Sequence, residues 1–300
     1  MNKMITSLCF VLLFTVTVSI FSQGQRRKIG LCFSSKLFPE TDIRDAQASI
    51  EAWSRELIRE KKVDFDIQTY IYDDLKKIEE AIRKKEIGLI TLQAIDYLKL
   101  RNTINIEPAL IGTSGSSLSE NFVLLVNKKS RITNTSQLKG KKIALQSSGR
   151  GETARIWLET IILKQIPAGL EKFFSEVKYL KNESQLIFQV FFQQVDGCIV
   201  SSKSFSTMFE LNPQIKEDLD IILSSPKFVN NVFAFSKFLN NEDKQVILSL
   251  TKDISKYTSG KQLLLLFKQS NIVIFSGTEL KTLEELIKEY EELTGKNLIK

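Results

Sequence analysis

Residues 142–157 read KIALQSSGRGETARIW. A short apolar run at Ile143, Ala144 and Leu145 passes into a Ser/Gly loop at 147–151, and a helix-forming stretch opens near Glu152 and Thr153. The order is one strand, one tight loop and one helix. Outward from this unit the alternation continues in both directions. Toward the N-terminus, strand-like runs at 28–33, 65–72, 87–92 and 108–112 are separated by helical stretches at 45–60, 73–85 and 94–101. Toward the C-terminus, strands at 176–180, 196–200 and 219–223 enclose helices at 184–194 and 203–210. Apolar spacing carries the helix assignments: Ala46, Ile50, Trp53, Leu57 and Ile58 share one face, as do Leu283, Leu286, Ile287, Tyr290 and Leu293 of a final helix at 282–294. Strands interleaved with helices predict βαβ units and a mostly parallel sheet. Phe188, Phe191 and Phe192 share a helix face by the same spacing and read as core.

The texture breaks twice. Residues 112–121 (GTSGSSLSEN) form a small polar linker before a strand at 122–127. Residues 224–231, with Pro226, form a second loop before a strand at 232–235. Helices at 242–255 and 261–269 and a short strand at 272–275 complete the chain before its final helix. Two α/β blocks joined by two extended crossings predict a bilobed protein with a cleft. Residues 25–121 and 226–300 would build lobe one, and residues 122–225 lobe two. Such a cleft buries a small ligand between lobes that hinge shut over it.

Composition bounds the chemistry. The 300 residues are 43% hydrophobic and 26% charged, as in an ordinary folded soluble protein, and contain no histidine. Ser-His-Asp and Cys-His nucleophile pairs, His-containing zinc sites and a His-ligated haem are therefore excluded. The net charge of +7 is spread along the chain, without the basic blocks of a nucleic-acid arm. Cys9, Cys32 and Cys198 show no CxxC spacing, and the last two lie inside apolar, strand-like runs as small buried hydrophobes. The carboxylate pairs Asp73-Asp74 and Glu79-Glu80 sit in charged helical stretches and read as solvated faces. No cofactor is expected. The stretch Gly149-x-Gly151-x-x-Ala154 is a variant dinucleotide fingerprint, but it lies mid-chain and too far from the next acidic turn, and no GxxxxGK[ST] loop occurs. These absences move the reading from enzyme toward binder.

Residues 1–24 combine Lys3, an apolar core from Leu8 to Phe21, and small residues Ser22 and Gly24. They read as a secretory signal peptide, with an uncleaved anchor over 4–21 as the alternative. The expected location is the periplasm or the extracellular space.

The loop at 147–153 admits two readings. Free backbone N–H groups, the positive end of the helix dipole and the Ser and Thr hydroxyls suit a phosphate, phosphonate, sulfonate or carboxylate. Alternatively, Ser148 or Thr153 caps the helix and nothing binds.

From Asn121 to Trp157 the chain reads NFVLLVNKKSRITNTSQLKGKKIALQSSGRGETARIW. This resembles the periplasmic substrate-binding proteins of phosphonate, phosphite and phosphate ABC importers. In them an extended strand precedes a "K-S-x-I…S-L-x-D-L-K-G-K-K-V-A" run and a Ser/Thr/Gly loop before a helix. Ser130, Ile132, Ser136, Leu138, Lys139, Gly140, Lys141, Lys142, Ile143 and Ala144 stand at those places, and the run at 195–199 resembles the family's later "V-D-A-A" strand. The resemblance implies the type-two periplasmic-binding-protein fold, a small anionic ligand and an ABC permease or membrane sensor as partner. A monomer that does not bind nucleic acid is expected. It places Ser147, Ser148, Gly149, Arg150, Gly151 and Thr153 at the anion-binding helix end. Asn182 falls where relatives have a His-Asp-Ser turn, Ser201 where an acidic residue meets the ligand's amino group, and Thr91 and Gln93 follow a lobe-one strand that closes the cleft. The missing histidine and the serine at 201 are departures from the pattern. Sulfonate and thiamine-precursor binders share the LKGKK segment, so ligands of those types and a sensory role beside a receptor kinase stay open.

Overall fold

The computed structural model describes residues 27–299 apart from 116, 148 and 168, so the segment 1–24 read as a signal peptide, Cys9 and Ser148 lie outside the described residues. Eleven strands are described: β1 (Arg27–Ser34), β2 (Phe65–Tyr72), β3 (Leu89–Gln93), β4 (Ile106–Thr113), β5 (Glu120–Asn127), β6 (Lys142–Gln146), β7 (Glu176–Leu180), β8 (Gly197–Ser201), β9 (Leu219–Phe228), β10 (Asn231–Ser236) and β11 (Asn271–Ile274). The helices are α1 (Ile43–Glu60), α2 (Leu75–Arg83), α3 (Ala94–Leu100), α4 (Gly151–Gln165), α5 (Leu170–Phe173), α6 (Glu183–Phe191), α7 (Ser202–Leu211), α8 (Pro213–Asp218), α9 (Asn241–Thr251), α10 (Thr258–Leu266) and α11 (Lys281–Thr294). None of the described helices is long and apolar enough to cross a membrane.

Two sheets result. One has the order β11-β4-β10-β3-β1-β2 and the other β7-β6-β8-β5-β9. Each is mixed, which corrects the mostly parallel expectation. β1 runs parallel to β2 and β3, and β6 parallel to β7 and β8. β10 lies antiparallel to β3 and β4, and β5 antiparallel to β8 and β9. The physical cause is the two crossings. The chain enters the second sheet through β5 and returns to the first through β10, and each of these strands inserts against the direction of its βαβ neighbours.

β9 also continues to Phe228, through the stretch that reads as a loop in sequence. Pro226 fits there because β9 is an edge strand, where a missing N–H costs no ladder bond. Its neighbour Ser225 accepts the Phe122 N–H through its hydroxyl at 2.8 Å. The final helix α11 packs on α4 and β9, so the C-terminus returns to the five-stranded sheet.

Burial follows the pattern of the sequence over most of its length. Cys32 and Cys198 are buried free thiols, and burial pushes the Cys32 thiol up to about 12 and raises that of Cys198 too. Neither is a nucleophile near neutrality. The phenylalanine stripe departs from expectation. Leu186, Ile187 and Val190 form the buried face of α6, while Phe188 and Phe192 are 38% and 62% exposed and stack on each other at 6.0 Å.

Candidate functional site

A cavity of about 390 Å³ lies between the two sheets. Lys36, Pro39, Gln93 and Phe267 line it from the side of the first sheet, and Gly149, Arg150, Glu183, Lys203 and Ser204 from the second. Asn230 and Asn231, on the returning crossing, close its floor. The α4 start faces this space because the residues of 142–151 force it there. β6 ends at Gln146, Gly149 adopts φ +63°, and Arg150 enters helical backbone without a side-chain cap on α4. Gly151 then sits so close to β6 that a Cβ would fall 2.3 Å from the Gln146 carbonyl oxygen. At Gly149 a Cβ would lie 2.9 Å from the Lys36 carbonyl oxygen, on the opposite wall. The two lobes meet at that glycine.

Of the residues singled out in sequence, Gln93, Gly149 and Arg150 line the cavity. Gln93 donates its side-chain amide to the Lys36 carbonyl at 3.4 Å. Ser147 is exposed beside the loop, its N–H bonded to the Leu180 carbonyl. Gly151 and Thr153 are buried within the first turn of α4. Thr91 is wholly buried in β3, its hydroxyl without a hydrogen-bond partner, and does not line the cavity. Asn182 precedes α6 without capping it, and Ser201 is buried as the N-cap of α7, accepting from the Ser204 N–H. Neither lines the cavity. An acidic residue, Glu183, stands at the start of the neighbouring α6. Glu183 lines the cavity and accepts from the Ser201 N–H at 2.5 Å, the Ser201 hydroxyl at 3.1 Å and the Ser204 hydroxyl at 2.5 Å.

The basic groups of the cavity differ in availability. Arg150, the cation nearest the helix start in sequence, is held by Glu120, with Nη1 2.6 Å from Oε2. Lys268 pairs with Glu40 at 2.9 Å. Lys36 bonds Asp96 at 3.0 Å and Glu152 at 3.3 Å. Lys203 differs: its ammonium donates to the Ser114 hydroxyl at 2.7 Å and has no ion pair among the described residues. No spacing rule could have found Lys36, Glu183 or Lys203. Each reaches the cavity from a different element.

Beside the cavity, Lys36 and Lys99 of the first lobe, both paired with Asp96, engage Glu152 of the second, with Lys99 Nζ 2.5 Å from Glu152 Oε1. Burial alone would raise the Glu152 carboxyl, but Lys99 and then Lys36 outweigh it and hold it below the ordinary range. Asp96, wholly inaccessible, goes the other way: burial raises it and the two lysines offset this only in part. Burial would lower Lys36, yet Asp96 and then Glu152 raise it. The sign for Glu152 sets a pH window. A carboxyl depressed in the closed form stabilises that form above its open-state value, and this contribution disappears as pH falls through the depressed one. Small-angle scattering should therefore show an unchanged radius of gyration from pH 7 to about 5 and expansion below the usual Glu value of about 4.3. Glu152→Gln should be expanded at every pH; if it is as compact as the native protein, the contact does not hold the lobes.

Residues 37–279 match the family model described as ABC transporter, phosphonate, periplasmic substrate-binding protein. No curated protein sequence gave a match. Among solved structures, a Xanthomonas citri protein bound to ATP superposes with a TM-score of 0.67 at 14% identity, covering 89% of this chain and 98% of that one. A binding-protein component of a phosphonate ABC transporter from Pseudomonas aeruginosa gives 0.65 at 12% identity, covering 90% and 88%. PhnD1 from Prochlorococcus marinus in complex with methylphosphonate gives 0.63 at 15% identity, covering 89% and 100%. At these identities the likeness carries the fold and nothing finer.

Proposed function

The chain belongs to the periplasmic substrate-binding proteins of phosphonate ABC transporters, and from that premise we propose that its cleft captures a small phosphonate-type oxyanion at the start of α4 and delivers it to an importer permease. The observation that carries this reading is the pairing, among the described residues, of an α4 start whose N-cap residue Arg150 makes no side-chain cap bond with one cation, Lys203, that no carboxylate neutralises. An oxyanion there would accept from the backbone of 149–151 and from Lys203, with Gln93 and Asn231 reaching it from the other wall. Binding in place of the Lys203–Ser114 contact exchanges a neutral partner for an anionic one. Charge-assisted bonds of this kind are worth about 1.5–3 kcal/mol each, so a handful supports micromolar capture. The reading also assigns residues 25–121 and 226–280 to one lobe, residues 122–225 together with α11 to the other, in place of the sequence expectation that put all of 226–300 in the first, and export to residues 1–24. The chain acts as a monomer.

Calorimetric titration with phosphate, phosphite, methylphosphonate and methanesulfonate tests the ligand class, and methylphosphonate is the first probe because PhnD1 binds it. Lys203→Ala should weaken binding about ten- to hundred-fold, the loss of one charge-assisted bond. Its melting temperature should be unchanged, since the side chain is exposed. An unaltered affinity removes Lys203 from the site, and no heat with any oxyanion overturns the reading.

A further inference from the structure

Behind the cleft, the first lobe holds an apolar chamber of about 100 Å³ between its sheet and helices α1, α9 and α10. Ile29 and Phe33 of β1, Leu57 of α1, Ile247 of α9 and Leu264 of α10 contribute to its wall, and Ser54 and Thr251 are its polar members. The looseness is one-sided. Along β1, Leu31 faces the chamber with 9% exposure while the next residue, Cys32, has 0%; along β3 the same contrast separates Leu89 at 9% from Ile90 at 0%. Alternate residues of a strand point to opposite faces, so the chamber lies against one face of the sheet and not the other. Unfilled apolar space forfeits dispersion contacts, and such space takes up small apolar molecules in preference to water.

One side chain belongs to both walls. Phe267 lines the cleft and the chamber alike. It ends α10, stacks on Phe33 with ring centroids 5.2 Å apart and meets Phe233 at 6.4 Å. Of the apolar residues lining the cleft, Leu37, Pro39 and Phe267 lie on this same lobe, opposite Gly149, and Met208 on the other. An anion held at the α4 start would therefore turn its substituent toward Phe267.

We propose that this protein selects phosphonates bearing a short unbranched alkyl chain, with the chain passing Phe267 into the chamber of the first lobe. The proposal rests on the oxyanion reading of the cleft. A chamber of this size has room for about three methylene-sized groups, taking the liquid volume of water, about 30 Å³, as the measure. Each buried methylene is worth about four-fold in affinity.

Titration of the native protein with methyl-, ethyl-, propyl-, butyl- and octylphosphonate should show affinity rising about four-fold per carbon and levelling once the chamber is full. In Ser54→Leu, whose larger side chain occupies the chamber, the ratio of butyl- to methylphosphonate affinity should collapse toward one. Xenon or benzene should compete with butylphosphonate and leave methylphosphonate unaffected. If methylphosphonate binds and the native series is flat or falls, the chamber is not a subsite and the proposal is overturned, while the oxyanion reading stands. If no phosphonate binds at all, both are overturned.

Discussion

Gly151→Ala should reduce methylphosphonate affinity by at least a hundred-fold while the chain still folds. The added Cβ would sit 2.3 Å from the Gln146 carbonyl oxygen and 2.7 Å from Gln146 Cβ. The carbonyl belongs to backbone held in the sheet by β7, so the first turn of α4 has to move instead. That movement carries Gly149 and Arg150 with it. Gly149 already lies against the Lys36 carbonyl, so the wall that would meet the ligand and the seam between the lobes are displaced together. Gly140 supplies the control. Its φ is +73° and nothing lies within 4 Å of its Cβ position. Alanine there pays only the left-handed backbone cost, about 1 kcal/mol, and changes nothing at the cleft. Both variants should lose some thermal stability, but only Gly151→Ala should lose binding. Equal affinities in the two, measured by calorimetry, would remove the α4 start from the binding site.

The contrast between these glycines shows what local sequence carries and what it does not. β6 and α4 are legible because a three-residue apolar run, a glycine loop and a helical period all fall within one short stretch, and β6 extends that run by one residue at each end. The cleft is assembled from residues far apart in the chain. Lys36, Glu183, Lys203 and Phe267 converge only through the order of strands in two sheets. Arg150 shows the same limit in reverse. Its charge is obvious in sequence, but its neutralisation by Glu120 comes from the register of β5 beside β9, which places Glu120 at the mouth of the crossing. Pro226 hid the end of β9 because proline is a breaker everywhere except at an edge, and edge position is a property of the sheet. Phe192 was misleading for a related reason: helical spacing tells which residues share a face, not how far along the helix the neighbouring core extends.

The second large effect concerns the cluster beside the cleft. Asp96 is wholly buried; one carboxylate oxygen bonds Lys36 at 3.0 Å and the other has no hydrogen-bond partner. Lys36→Met leaves that carboxylate facing only Lys99 at 3.7 Å. Stripping one partner from a buried pair costs about 3–5 kcal/mol, because the remaining charge is uncompensated. At a few degrees per kcal/mol, the melting temperature at pH 7 should fall by about 10 °C. Asp96 is already raised by burial, with the lysines offsetting this in part, and loss of Lys36 raises it further. A carboxyl raised in the folded state penalises folding above its folded value, and the penalty is relieved as pH falls through that value. The deficit of Lys36→Met should therefore be greatest near neutrality and shrink in acid, the reverse of the trend at Glu152. Adding Asp96→Asn should restore most of the loss at pH 7, since an amide carries no charge to strand. If the double variant is as unstable as the single one, the loss comes from Lys36 packing and not from the buried charge.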